Sequence, residues 1–232
     1  MKIRALMTTP FAPLEDKNVN LVVFKNGEEV VPPKLEELFI ASCKKYAQKF
    51  KVFLSTCLYR DGHYLCMAVI SPEGEILGVQ RAAYINLRWA NEIEPYDDIE
   101  IISTPLGKIF LAADADIYHP EVLRLAIFNE CDFIISSQMF PMVDFNEDRI
   151  FFGARSAAAA NRIYILHTTT YSSALLCPPE LTSDGSGFLA YPTGKTQTVE
   201  FDWEDAVISR RALMDSLLGS NVLHHYQNIL EK

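Results

Sequence analysis

The stretch TPLGKIFLAADADIYHPE, from Thr104 to Glu121, decides the fold. Its apolar run Ile109–Ala113 is typical of a short strand that is covered on both faces. Asp114–Asp116 follows as a tight turn, and Pro120 and Glu121 are typical of the first turn of a helix. A side chain at such a strand-to-helix turn projects from the carboxyl end of the sheet, where α/β proteins keep their sites.

The rest of the chain alternates strand-like runs with amphipathic helical patterns, which predicts an α/β protein. Strands are predicted at 2–7, 20–24, 51–59, 63–71, 76–79, 109–113, 131–136 and 163–167. Helices are predicted at 35–50, 120–129 and 150–162. This pattern alone does not distinguish two packed sheets from a flavodoxin-like fold.

Composition limits the class of protein. The chain has 232 residues, of which 49% are apolar, and we expect a single domain over residues 1–232. Its net charge of −9 argues against binding to nucleic acid or to an anionic membrane. No apolar run reaches the roughly 18 residues of a membrane span, and the first residues do not resemble a signal peptide. We therefore expect a cytoplasmic protein.

The five cysteines are odd in number and lie at unrelated spacings. They are Cys43, Cys57, Cys66, Cys131 and Cys177. The sequence contains no CxxC pair, so neither a disulfide framework nor a zinc site is indicated. We expect buried, reduced thiols.

The central stretch resembles the nucleophile elbow of the carbon–nitrogen hydrolases, the nitrilase and amidase superfamily. The family pattern is T-P-x-G-K-I-x-x-x-x-C-[YW]-[DE]-x-x-x-P-E. Counting from Gly107, and counting back from Pro120, both place the nucleophile at position 114. The family has cysteine there, and this chain has Asp114.

Two further blocks resemble the family at its other catalytic positions. Phe24-Lys25-Asn26 stands where the family has F-P-E with a general base, so Asn26 takes the position of the base. The block SPEGEILGVQRA resembles the one that ends in the catalytic lysine, and Ala82 stands at that lysine's position. Glu28 is an alternative base if the chain shifts by two residues there.

The resemblance implies a four-layer α-β-β-α sandwich, nitrilase-like, with a shortened amino terminus and a helical tail at 202–232. It also implies a homo-oligomer, a dimer or larger, that associates through the outer helices. Amide hydrolysis in this family needs a thiolate, a carboxylate base and an ammonium. With Asn26, Ala82 and Asp114 at those positions, the resemblance predicts a pseudoenzyme.

A pocket that has lost its lysine and gained Asp114 predicts a small amine or amide ligand. The residues expected to line the pocket are Asn26, Glu92, Asp114, Ala115, Tyr118, Gln138 and Met139. Two alternatives stay open: a divergent hydrolase that uses Asp114 with a water or with Glu92, and a structural partner of an active homologue.

A metal site at Asp114, Asp116 and His119 is a further alternative, because both residue types are metal ligands. Their spacing is not that of a recognised site, so we expect no metal and no cofactor.

Overall fold

Thirteen strands form two sheets in the computed structural model, which describes residues 2–140, 146–207 and 210. The strands are β1 Lys2–Thr8, β2 Leu21–Phe24, β3 Phe53–Ser55, β4 Tyr59–Asp61, β5 Tyr64–Ile70, β6 Ile76–Arg81, β7 Ile101–Thr104, β8 Gly107–Ala113, β9 Phe133–Ser137, β10 Tyr164–Thr168, β11 Ser173–Leu176, β12 Phe188–Thr193 and β13 Gln197–Asp202. The helices are α1 Glu36–Phe50, α2 Pro120–Phe128 and α3 Glu147–Asn161.

The first sheet has the order β13-β1-β2-β3-β5-β4, and β6 pairs with β5. The pairs β1–β2 and β2–β3 are parallel and the others are antiparallel. Helix α1 covers the outer face, where Phe39, Cys43 and Tyr46 pack on strand residues such as Phe24 and Leu54. Its amphipathic pattern supplies this apolar stripe.

The second sheet has the order β12-β11-β10-β9-β8-β7, with parallel pairs β8–β9 and β9–β10. Helices α2 and α3 cover its outer face, where Leu123 and Ala154 pack against Phe110 and Ile134. The side chain of Asn146 caps α3 by accepting the N–H of Arg149 at 2.9 Å.

The inner faces of the two sheets pack on each other and form the largest core. Leu21 and Met67 from the first sheet belong to the same buried cluster as Leu111, Ile135 and Leu166 from the second. The architecture is therefore the four-layer α-β-β-α sandwich, and the flavodoxin-like alternative is wrong. None of the described helices is both long and apolar enough to pass through a bilayer.

Three details differ from the predicted elements. The strand predicted at 51–59 is split into β3 and β4, and the turn at Gly62, with φ 58°, joins β4 to β5. Strands β7, β11, β12 and β13 were not among the predicted strands; β7 and β11 have only four residues each, too few for a clear period of two. The helical tail predicted at 202–232 lies mostly outside the described residues.

Candidate functional site

The elbow is a strained turn. Strand β8 ends at Ala113, and a 3₁₀ helix, Asp114–Tyr118, separates it from α2. Asp114 has φ 49°, a left-handed conformation that is uncommon for a residue other than glycine but that aspartate tolerates better than most. Such conformations persist where the surrounding structure enforces them, often at functional sites.

The side chain of Asp114 is 2% exposed and is held by two donors. Its Oδ1 accepts a hydrogen bond from Nη2 of Arg88 at 3.1 Å and one from the backbone N–H of Met139 at 3.4 Å. Its Oδ2 has no partner in the described part of the chain. Burial raises the pKa of Asp114, while the Arg88 charge and the two hydrogen bonds act in the opposite direction.

Arg88 is the functional residue that the sequence analysis missed. It also donates to the carbonyl of Met139 and lies over the rings of Trp89 and Phe140, at 5.2 and 5.9 Å from their centroids. The prediction of an amine ligand depended on a carboxylate with no opposing cation. That premise is wrong, because the guanidinium already neutralises Asp114.

Gln138 joins two of the expected pocket residues. Its Nε2 donates to the backbone carbonyl of Asp114 at 2.9 Å, and its Oε1 accepts from the Tyr118 hydroxyl at 3.2 Å. Met139 is buried beside it, and Ala115 is half-buried in the 3₁₀ helix. The structure therefore brings Asp114, Ala115, Tyr118, Gln138 and Met139 together.

Asn26 and Ala82 are both buried at the ends of strands in the first sheet. Oδ1 of Asn26 accepts the N–H of Leu58 at 2.9 Å, while its Nδ2 has no partner within the described residues. Ala82 bonds through its backbone alone, to Leu65 and Tyr96. Leu58 and Ala82 belong to the same inter-sheet cluster as Met139.

The structure does not bring Glu92 into this group, so its assignment to the pocket is corrected. Its side chain is 57% exposed and pairs with Arg60 at 2.9 Å. The neighbouring Ile93 is the buried residue of this segment. Glu92 points outward because its carboxylate forms a solvent-exposed ion pair with Arg60, while the side chain of the neighbouring Ile93 is buried in the core. Glu28, the alternative base, is also exposed.

Asp116 holds the elbow to the end of β6. It is fully buried, and its carboxylate accepts backbone N–H groups of Ala83 at 3.0 Å, Tyr84 at 2.8 Å and Ala113 at 3.3 Å. Burial raises the pKa of Asp116 to about 7, although these three N–H groups favour the ionised form. Its role in the fold is therefore to join two loops.

His119 does not join the two aspartates. Its ring stacks on Tyr84 with centroids 3.4 Å apart, and its Nδ1 lies 3.4 Å from the Glu121 carboxylate. Among the described residues, no group of three or more His, Cys, Asp or Glu side chains is arranged to hold a metal.

Chemically, the site consists of the ion pair between Arg88 and Asp114. The side chain at the nucleophile position, Asp114, is buried and not exposed to a substrate. A carboxylate that is buried and already bonded to a guanidinium is poorly placed to attack a carbonyl carbon. The arrangement is suited to holding the loop that carries Arg88 against the elbow.

Comparison with known proteins shows that the fold is similar to that of solved carbon–nitrogen hydrolases. Solved structures match over nearly the whole chain. A carbon–nitrogen hydrolase from Helicobacter pylori G27 has a TM-score of 0.77 and 20% identity, and the match covers 100% of this chain and 99% of that one. Saccharomyces cerevisiae Nit3, a member of branch 10 of the nitrilase superfamily, has a TM-score of 0.69 and 17% identity, covering 91% and 94%.

An amidase from Nesterenkonia sp. AN1, in complex with acrylamide, has a TM-score of 0.70 and 11% identity, covering 93% of this chain and 97% of that one. Another structure of that amidase has a covalent adduct at its active-site cysteine. No protein-family model matches the sequence, and none of the curated proteins matches it.

The buried carboxyl of Asp116 makes stability depend on pH. Its pKa of about 7 lies above the 3.8 of an ordinary aspartate, so the folded state holds its proton to higher pH than the unfolded state does. We expect wild type to lose stability relative to Asp116→Asn as the pH rises from about 4 to about 7. The loss is at most about 4 kcal/mol, because one pKa unit corresponds to about 1.4 kcal/mol. Urea unfolding of both proteins across this range measures the difference.

The asparagine variant is the matched control, because it retains a carbonyl oxygen for Ala83 and Tyr84 and does not titrate. A difference that instead grows in favour of wild type as the pH rises would mean that the three N–H groups outweigh burial.

Proposed function

We propose that this chain is a catalytically inactive relative of the carbon–nitrogen hydrolases, in which the elbow stabilises the fold instead of attacking a substrate. The observation that supports this most directly is the ion pair between Arg88 and Asp114. Asp114 stands at the position of the family nucleophile and is buried, and the guanidinium of Arg88 balances its charge.

The other two catalytic positions support the same proposal. The side-chain oxygen of Asn26 is bonded to the Leu58 backbone, and an amide is not a base at neutral pH. Ala82 offers neither charge nor hydrogen bond to an oxyanion. Loss of one oxyanion donor commonly costs about 100- to 1000-fold in rate, and here base, donor and thiol are all replaced.

The thiols elsewhere do not substitute for the missing nucleophile. All five are free and buried, and burial raises the pKa of Cys57, Cys66 and Cys131 to about 12. The thiolate is the reactive form, and because these pKa values are so high, very little thiolate exists at neutral pH. Five unpaired thiols also fit the reducing cytoplasm, where we place the protein.

A buried serine and histidine pair also fails to supply a catalytic site. Nδ1 of His167 lies 3.1 Å from Oγ of Ser136, and both residues are fully buried. Burial lowers the pKa of His167 to about 3, and the edge of its ring meets the Phe151 ring on α3. Under a helix and away from solvent, this pair supports packing.

We predict that the purified protein does not release ammonia from short aliphatic amides or nitriles above the uncatalysed rate. Asp114→Asn is expected to be equally inactive, because the aspartate is not a nucleophile. Ammonia release is measured with an active carbon–nitrogen hydrolase alongside as positive control. Turnover by wild type that Asp114→Asn abolishes would contradict the proposal and would favour the divergent hydrolase.

Self-association is the second part of the proposal. Large apolar side chains are exposed on the helix layer over the second sheet: Tyr118, Leu125, Phe128 and Phe152. Phe152 is 70% exposed, and the Tyr118 ring packs so closely on Gly153 of α3 that a Cβ there would lie 2.2 Å from it. Exposed apolar surface of this kind commonly marks a protein interface. The chain is therefore proposed to form at least a homodimer through α2 and α3, and an active homologue is the alternative partner.

We expect Phe152→Glu to shift the protein towards monomer, because a carboxylate would be buried at the interface. Leu38→Glu on α1, where the leucine is 67% exposed, is the matched control and should leave the mass unchanged. Sedimentation velocity at several concentrations measures both. A wild type that is monomeric throughout, or equal masses for both variants, would exclude this interface.

A further inference from the structure

A row of hydroxyl side chains crosses the second sheet near the carboxyl ends of its parallel strands. Ser137 of β9 is registered with Thr168 of β10, Thr168 with Ser173 of β11, and Ser173 with Thr193 of β12. The row begins beside the elbow, because Ser137 is also registered with Ala113. Registered neighbours share one face of a sheet, and Ala113 belongs to the inter-sheet core, so the row faces the first sheet.

The two ends of this row differ in how their hydroxyl groups are bonded. Oγ1 of Thr168 bonds to Oγ of Ser137 at 3.2 Å and to the carbonyl of Ser136. Oγ of Ser173 is fully buried and has no hydrogen-bond partner among the described residues. Buried hydroxyl groups are nearly always paired, so the hydroxyl of Ser173 is free to bond to a group outside the described residues.

A buried lysine from the first sheet lies at the same end of the row. Lys25, just after β2, is 3% exposed, and its Nζ donates to the carbonyl of Gly194 at 2.7 Å. Gly194 directly follows Thr193, the registered partner of Ser173. The hydroxyl of Thr170 also donates to the carbonyl of Gly27 at 3.2 Å, which ties the end of β2 to the β10–β11 turn.

The ammonium of Lys25 has no carboxylate partner within the described part of the chain. The hydrogen bond that its Nζ makes goes to a carbonyl oxygen, and burial lowers its pKa. A buried charge is costly unless an opposite charge meets it. The adjacent Asn26 adds a second buried donor, its Nδ2, that has no partner among the described residues.

We infer that Lys25, Asn26 and Ser173 form a binding site for the carboxylate of a small monocarboxylic acid. One ammonium supplies one positive charge, which matches a monoanion, and the amide and hydroxyl donors satisfy the remaining lone pairs of its two oxygens. Phosphate carries more negative charge than the single ammonium of Lys25 neutralises. An amine would meet an ammonium, and the Asp114 carboxylate is already paired with Arg88. This site is independent of whether the chain hydrolyses amides.

Titration calorimetry of the full chain tests the site with three matched probe series at constant ionic strength: acetate, propionate and butyrate; the corresponding amides; and the corresponding primary amines. Inorganic phosphate is the fourth arm. We expect saturable binding of a carboxylate and none of the amines. Lys25→Met is expected to weaken that binding by at least about tenfold, because a charge-assisted hydrogen bond is lost. Lys17→Met, at an exposed lysine, is the control and should bind as wild type does.

Ser173→Ala keeps the test decisive if Lys25→Met does not fold. It removes a buried hydroxyl that has no partner, so we expect it to fold at least as well as wild type and to bind the carboxylate about threefold more weakly. Absence of saturable carboxylate binding to wild type would overturn the inference. So would tighter binding of phosphate than of any carboxylate, or unchanged affinity in both Lys25→Met and Ser173→Ala.

Discussion

The contact between Arg88 and Asp114 is the constraint on which the site depends. A left-handed turn at the end of β8 puts the carboxylate of Asp114 into the interior, where an unpaired charge would be strongly destabilising. The loop after β6 therefore has to lie over the elbow and supply the cation. Because the same guanidinium also donates to the Met139 carbonyl, one side chain joins this loop to the elbow and to the end of β9.

Two other contacts hold that loop in place. At its start, the Asp116 carboxylate accepts the N–H groups of Ala83 and Tyr84. Further along, the Tyr96 ring lies over the guanidinium of Arg81, which also lies over Tyr64 and pairs with Asp61 at 3.1 Å. A loop tied at both ends positions Arg88, which lies in a short 3₁₀ helix, Leu87–Trp89. The elbow and this loop are thus held together through Arg88 and Asp116.

The elements of the elbow were predictable because their signals are local, whereas the two-sheet sandwich was implied by the family resemblance. The apolar run Ile109–Ala113, the turn at position 114 and Pro120 at the start of α2 lie within one short stretch, and the structure confirms each of them. The partner of Asp114 was not predictable in this way. Arg88 lies 26 residues away in a loop without periodicity, so nothing near it in the sequence points to a carboxylate. Glu92 was misplaced for the same reason, since its direction is decided by Arg60 and Ile93. The hydroxyl row is a product of strand register, which the sequence does not display.

Asp114 is expected to act as a structural partner of Arg88. A double-mutant cycle with Arg88→Met and Asp114→Asn, read as the free energy of unfolding in urea at pH 7, tests it most directly. Each single change is expected to destabilise, and the pair to show a coupling of about 1–3 kcal/mol, as contacting charged groups do. A coupling indistinguishable from zero, with Arg88→Met as stable as wild type, would contradict this role, because the ion pair would then contribute nothing to the fold.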